Sequence, residues 1–95
     1  MSESVLVVDV RDALAFAGGH IAGAIHVPLL DTERRAAEVI KQAKHRTIVT
    51  YCSCPAEHSS AEAGWLLMKQ GARDVRALVG GYVEWARNGG KIERN

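Results

Sequence analysis

Two short apolar runs constrain the fold of this chain more than any other feature of its sequence. Residues 5–10 read Val-Leu-Val-Val-Asp-Val, and residues 47–51 read Thr-Ile-Val-Thr-Tyr. β-Branched side chains dominate both runs, and neither run has the regular alternation of a strand that exposes one face to water. Strands covered on both faces are typical of parallel sheets. The two runs therefore predict strands of a parallel sheet that is packed between helices.

Helices are predicted between the strands. One helix is expected to begin at Asp31 or Thr32 and to bury the face made of Ala36, Val39, Ile40 and Ala43. A second helix is expected to be capped by Ser59 or Ser60, to end at Gly71 and to bury the face made of Ala61, Gly64, Trp65 and Met68. Shorter helices are predicted at 12–16 and 82–87, and shorter strands at 24–27 and 75–79. This alternation predicts an α/β fold in a single domain, residues 1–95.

The composition excludes several classes of protein. The chain has 95 residues, of which 47% are hydrophobic, so it can build one small core but not two domains. Its formal net charge of +1 at pH 7 gives no reason to expect a nucleic-acid partner or a membrane surface. No apolar stretch is long enough to span a bilayer, and residues 1–4 lack a signal-peptide pattern. We therefore expect a cytoplasmic domain that makes no membrane contact of its own.

The segment between the third predicted strand and the helix after it is the richest in reactive side chains. It reads Cys52-Ser53-Cys54-Pro55-Ala56-Glu57-His58-Ser59-Ser60. In parallel α/β sheets, ligands bind where strands end and helices begin. Backbone N–H groups and the helix dipole at such a junction stabilise anions, and thiols at helix N-termini have pKa values of about 3.5–7.5. A cysteine in this loop is therefore a candidate nucleophile, and the residues from Pro55 to Ser60 would surround its substrate.

Other interpretations of the same residues remain open. Cys52 and Cys54 could be inert core thiols, although a disulfide across one intervening residue is sterically awkward. A metal site could combine them with His58, and with His20 or His26, but the second cysteine pair of a typical zinc site is absent from the sequence. We predict no metal, and we expect His20 and His26 to serve packing or hydrogen bonding.

Three ordered segments of the sequence resemble the rhodanese-like family. The first is Asp-Val-Arg at 9–11, followed by Phe16, by Gly-His-Ile-Ala-Gly-Ala at 19–24 and by Pro28. The second runs from Tyr51-Cys52 to Ser60-Ala61, and the third is Leu-Val-Gly-Gly-Tyr-Val-Glu-Trp at 78–85. Only residues 1–4 precede the first segment, whereas many family members begin with a further strand and helix. The resemblance therefore implies a minimal domain or a piece of a longer chain.

The resemblance implies a fold and an activity. The family fold is a mostly parallel sheet, here of about four to five short strands, flanked by helices. Its usual activity is transfer of sulfane sulfur through a cysteine persulfide held by loop amides, with no cofactor. The donor would be thiosulfate or a persulfide, and the acceptor would be cyanide, a small thiol or a protein thiol. Asp9 and Arg11 would form an ion pair or turn lock beneath the site, and His20 would fix a turn.

The resemblance leaves two candidates for the nucleophile. Alignment on the strand selects Cys52, and alignment on the helix start selects Cys54. Proline has no N–H, so Pro55 would remove a donor from the middle of a loop that serves Cys52, but only from the beginning of a loop that serves Cys54. We therefore predict that Cys54 is the nucleophile, in which case Cys52 is a buried strand residue or a resolving thiol for redox control.

Two other functions and one donor preference complete the expectations. A non-catalytic or regulatory binding module is compatible with the same fold. A phosphatase or arsenate reductase needs an arginine that closes the loop, but Ser60 stands six residues after Cys54 and His58 six residues after Cys52. The loop also lacks Lys and Arg and contains Glu57. Since a negative charge at the mouth repels a dianion, persulfides or polysulfides are expected to be better donors than thiosulfate.

Overall fold

The structure, a computed structural model, describes residues 4–53 and 58–94. Its strands are β1 (Val5–Asp9), β2 (His20–Ile21), β3 (Ile25–His26), β4 (Thr47–Tyr51), β5 (Val75–Ala77) and β6 (Ile92–Glu93). Its α-helices are α1 (Ala13–Gly18), α2 (Thr32–Ala43), α3 (His58–Lys69) and α4 (Gly81–Arg87), and one 3-10 turn spans Leu29–Asp31. Within the described residues, we find no helix with the length and apolar character needed to span a membrane.

The main sheet has four parallel strands in the order β3-β1-β4-β5. The two central strands, β1 and β4, pair over five positions, from Val5 opposite Thr47 to Asp9 opposite Tyr51. They are the two apolar runs of the sequence, and α2 and α3 pack on the sheet. The predicted α/β fold with a mostly parallel sheet flanked by helices is therefore confirmed. The outer strands β3 and β5 are each two residues shorter than predicted.

The core confirms the predicted buried face of α2 but not that of α3. Helix α2 buries Ala36, Val39 and Ala43, whereas the fourth predicted position, Ile40, is half-buried. Of the face predicted for α3, only Gly64 is buried, and it is joined in the core by Ser60, Ala63 and Leu67. Ala61 is exposed, and Trp65 and Met68 are exposed by 56% and 47%. Ser59 and Ser60, expected to cap this helix, lie in its first turn.

The physical reason for the difference in α3 is its contact with the sheet. The hydroxyl of Thr50 donates to the Ser60 carbonyl at 2.7 Å, which fixes the rotation of the first turn. Gly64 lies close to the Val75 side chain, where an added Cβ would be 3.3 Å from Val75 Cγ1. Residues 65–68 are all apolar and point to every side of the helix, so the spacing of apolar residues did not show which side is buried.

A second, two-stranded sheet was not predicted. Strand β2 pairs antiparallel with β6, with His20 opposite Glu93 and Ile21 opposite Ile92. The indole N–H of Trp85 donates to the Lys91 carbonyl at 2.8 Å, which turns the chain after α4 back toward β2. Two-residue strands are too short to show the alternating pattern by which strands are recognised in a sequence, so this pairing could not be predicted.

Candidate active site

The segment from Cys52 to Ser60, called the cysteine segment below, follows the carboxyl end of β4, one of the two central strands. Strand β4 ends at Tyr51, Cys52 follows it, and Ser53 is exposed at the surface. Helix α3 begins its described part at His58, whose side chain is exposed. The predicted nucleophile Cys54, together with Pro55, Ala56 and Glu57, lies outside the described residues.

Cys52 is part of the core. It is 3% exposed and belongs to the same apolar cluster as Ala63 and Leu67 of α3. Its Sγ donates to Ser60 Oγ at 3.7 Å, so the thiol points beneath the first turn of α3. Its backbone carbonyl accepts a hydrogen bond from the N–H of Tyr82 at 3.0 Å. Side chain and backbone of Cys52 are therefore both engaged inside the fold.

The turn before α4 packs directly on the backbone of Cys52. Gly80 and Gly81 have φ values of 81° and 54°, in the region that favours glycine. A Cβ on Gly81 would overlap the Cys52 carbonyl oxygen. The two glycines thus allow α4 to begin in contact with the residue that follows β4, and they fix where the cysteine segment starts.

Beneath the segment, Asp9 and Arg11 form the predicted ion pair. Asp9 is fully buried, and the Arg11 side chain is 9% exposed. Arg11 Nη2 donates to Asp9 Oδ2 at 2.6 Å, and Arg11 Nε donates to Asp9 Oδ1 at 3.0 Å. Arg11 Nη2 also donates to the Gly19 carbonyl at 2.6 Å. Burial opposes the charge of Arg11, but the hydrogen bond and Coulomb attraction of Asp9 outweigh it and raise the pKa of the guanidinium.

Tyr51 connects this ion pair to the cysteine segment. Its hydroxyl donates to Asp9 Oδ2 at 2.6 Å and accepts from the N–H of Ile21 at 3.0 Å, inside a fully buried environment. Burial, and then the hydrogen bond to Asp9, raise the pKa of the Tyr51 phenol. The Arg11 guanidinium also lies 4.2 Å from the ring centre of Tyr82. No role was predicted for Tyr51 from the sequence, although it directly precedes Cys52.

His20 and His26 have structural partners, as expected. His20 Nδ1 donates to the Phe16 carbonyl at 2.9 Å, and the His20 ring stacks on Phe16 with 3.7 Å between centroids. His26 Nε2 donates to the Arg11 carbonyl at 2.7 Å. A carbonyl oxygen can only accept, so each of these ring nitrogens carries a proton. Over residues 4–53 and 58–94, no group of three His, Cys, Asp or Glu side chains is arranged to hold a metal.

Comparison with known proteins defines the class of protein. The family model for the rhodanese-like domain matches residues 1–88. The chain therefore belongs to the rhodanese-like domain family.

Relatives of known name and structure support this assignment. The chain is 39% identical over 83 residues to the thiosulfate sulfurtransferase GlpE of Pseudomonas putida. This alignment covers 87% of this chain and 71% of that protein. The chain is 38% identical over 88 residues to a sulfurtransferase of Allochromatium vinosum, covering 93% and 78%. The crystal structure of a rhodanese-like domain from Anabaena sp. is similar with a TM-score of 0.84 at 32% identity, covering 96% of this chain and 93% of that one.

Proposed function

We propose that the chain is a sulfurtransferase that carries sulfane sulfur as a persulfide on Cys54. Two of its relatives are named sulfurtransferases, and one of them is named for thiosulfate. The substrate classes are then a small sulfur donor, which is thiosulfate or a persulfide, and a thiophilic acceptor, which is cyanide, a small thiol or a protein thiol.

The burial of Cys52 is the observation that carries the choice of nucleophile. A nucleophilic sulfur must reach a donor in solvent, but the Cys52 thiol is 3% exposed and directed at Ser60. Its carbonyl accepts a hydrogen bond from the Tyr82 N–H, so its backbone is held in place as well. The chain reaches the surface at the next residue, Ser53. This order of a buried and then an exposed residue favours Cys54 as the thiol that meets the donor.

The cysteine segment is held at both ends next to the N-terminus of α3, which favours an anionic sulfur within the segment. The start is fixed by the Cys52 backbone, and the first turn of α3 is fixed by the bond from Thr50 to the Ser60 carbonyl. Helix α3 runs for 12 residues from His58, four residues after Cys54 in the sequence. The N-terminus of such a helix acts as about half a positive charge. A thiolate or persulfide anion in the segment would be stabilised by that charge.

The proposed reaction has two balanced steps. The Cys54 thiolate attacks the outer sulfur of thiosulfate, a new S–S bond forms on Cys54, and the bond within the donor breaks. Its electron pair leaves on sulfite. The acceptor nucleophile then attacks the terminal sulfur of the persulfide, and the Cys54 thiolate is the leaving group. With cyanide as acceptor the product is thiocyanate, and with a thiol it is a new persulfide.

The test compares two cysteine variants of the whole chain. Cys54→Ser is expected to abolish thiocyanate formation from thiosulfate or a polysulfide donor and cyanide. Cys52→Ser retains a group that can bond to Ser60 and is expected to keep a substantial part of the activity. Intact mass after donor treatment and gentle desalting should show one added sulfur atom on the wild type and on Cys52→Ser, but not on Cys54→Ser.

Each contrary result has a defined meaning. Activity in Cys54→Ser together with loss in Cys52→Ser would move the nucleophile to Cys52, provided that circular dichroism shows both variants folded. A wild type that gains no sulfur with any donor class would refute sulfur transfer and leave the non-catalytic binding module. Hydrolysis of an aryl phosphate or reduction of arsenate by the wild type would instead support the phosphatase or arsenate reductase alternative.

A further inference from the structure

A cavity of about 600 Å³ opens at the amino edge of the main sheet, opposite the cysteine segment. It lies where α2 ends at Ala43, where β4 begins at Thr47 and where the loop after α3 leads into β5. Four apolar residues line it, and we call them its floor: Ile40, Ala43, Ile48 and Ala72. Pockets for small molecules have volumes of about 300–1,000 Å³ and mostly apolar walls, so this cavity is of the size that encloses one small ligand.

Cationic side chains surround this floor. Lys41, Lys44 and Arg73 are exposed at the rim, and among the described residues none of them has a carboxylate within ion-pair distance. Arg46 also lines the cavity, but its guanidinium donates to the carbonyls of Ala43 and Gln42 at the end of α2. The three exposed cations are therefore available to a ligand, whereas Arg46 completes the helix.

Among the described residues that line the cavity, Asp74 is the one carboxylate, and it does not neutralise these cations. Asp74 accepts from the Thr47 hydroxyl at 2.7 Å and from Arg76 at 3.2 Å. These two hydrogen bonds, that of Thr47 first, lower the pKa of Asp74. Arg76 thus compensates the charge of Asp74 from outside the cavity. Since the whole chain has a formal net charge of only +1, the positive charge at this edge is a local concentration.

The negative ends of the helices at this edge balance only part of the positive charge of the exposed cations. Both α2 and α3 end at this edge, and each helix C-terminus acts as about half a negative charge. Two helix ends therefore balance about one cation, and Arg46 already contacts one of them. The charges of Lys41, Lys44 and Arg73 exceed what the fold itself requires.

The backbone at the rim is also unusual. Lys44 and His45 have φ values of 53° and 72°, so two consecutive residues other than glycine adopt the left-handed conformation. Glycine is the usual residue at this position after a helix because it has no Cβ. The chain places Lys44 and His45 there instead, and both side chains line the cavity.

We propose that this cavity binds a small amphiphilic anion. Its apolar body would occupy the floor formed by Ile40, Ile48 and Ala72, and its carboxylate, sulfonate or phosphate would meet Lys41, Lys44 and Arg73. Such a ligand can be a free molecule or the headgroup region of an anionic lipid, and the enclosed floor favours the free molecule. The proposal is independent of the cysteine chemistry, because the two sites lie at opposite edges of the sheet.

The test uses octanoate as the probe and backbone-amide NMR of the full chain as the readout. Octanoate should shift the amide signals of Ile40, Ile48 and Ala72 in a saturable way, and octanol should bind more weakly. The triple variant Lys41→Gln/Lys44→Gln/Arg73→Gln should weaken octanoate binding roughly tenfold, since it removes three surface charge pairs. The matched control Arg34→Gln/Lys91→Gln/Arg94→Gln removes three exposed cations elsewhere and should leave the affinity unchanged.

Three results would overturn the proposal. They are the absence of saturable shifts at the cavity, equal affinity for octanoate and octanol, and equal octanoate affinity in the two triple variants. Vesicles that contain phosphatidylglycerol separate the two sources of the ligand. Vesicle binding that depends on the three rim cations, without binding of octanoate, would show a surface contact in place of an enclosed ligand and would also refute the proposal.

Discussion

The buried hydroxyl of Tyr51 allows a quantitative test of how the site is supported. In Tyr51→Phe the ring remains, but two hydrogen bonds are lost, one donated to Asp9 Oδ2 and one accepted from the N–H of Ile21. Both Tyr51 and Ile21 are fully buried, so water cannot replace either partner without a rearrangement. We expect the substitution to destabilise the domain strongly without a change in its fold.

The magnitude follows from the two partners left behind. The Ile21 N–H loses its acceptor, and a buried unsatisfied donor costs about 1–3 kcal/mol. Asp9 loses one donor but keeps those of Arg11, so its loss belongs near the lower end of about 1.5–3 kcal/mol for bonds to charged groups. The sum is about 3 kcal/mol, a large part of the roughly 5–15 kcal/mol that stabilises a typical domain.

Urea denaturation of Tyr51→Phe and of Tyr82→Phe measures the effect against a matched control. Tyr82 lies beside Tyr51, with 6.3 Å between ring centres, but its hydroxyl has no hydrogen-bond partner among the described residues. Tyr82→Phe should therefore cost less than about 1 kcal/mol. If the two variants lose the same stability, the hydrogen bonds of Tyr51 do not hold the strand ends together, and the reasoning fails.

Three further predictions follow from the same contacts. Because folding raises the pKa of Tyr51, its phenol should contribute fully to stability below the unfolded pKa of about 10, and this contribution should be lost as the pH rises above that value. Urea midpoints measured across this range should therefore fall less in Tyr51→Phe than in the wild type, and an equal fall in both proteins would contradict the prediction. Gly81→Ala should lower stability by about 2 kcal/mol more than Gly89→Ala, since both glycines have positive φ but only a Cβ at Gly81 overlaps Cys52; equal losses would contradict the contact. Glu57→Gln should lower the KM for thiosulfate at low salt, and an unchanged KM would show that Glu57 does not determine donor choice.

The parts of the fold that the sequence predicted are those whose pattern repeats within one element. Strand β4 occupies the predicted residues 47–51 because both of its faces are covered, which makes the whole run apolar. Helix α2 buries three of its four expected positions, Ala36, Val39 and Ala43, because its polar and apolar residues separate at helical spacing. By contrast, the pairing of β2 with β6 joins residues about seventy positions apart through two residues each, and no local pattern specifies it.

Of the contacts that hold the site in place, only those implied by the resemblance to the family could be predicted from the sequence. The ion pair of Asp9 and Arg11 joins residues two positions apart and was implied by the first of the three segments that resemble the family. The hydrogen bond from Tyr51 to Asp9 joins residues 42 positions apart, and it depends on the register that sets β1 beside β4. A sequence shows that a tyrosine ends a strand, but not which carboxylate its hydroxyl reaches.

The choice between the two cysteines depends on tertiary contacts in the same way. From the sequence, Cys52 and Cys54 differ only in their distance from a strand on one side and a helix on the other. In the structure, the position of Cys52 is fixed by the Gly80-Gly81 turn, which comes almost thirty residues later and has no local relation to the cysteine segment. For Cys52 to attack a donor, its thiol would have to leave Ser60 and the core would have to open beneath α3. The cost of that opening is the physical basis for the proposal that Cys54, and not Cys52, carries the persulfide.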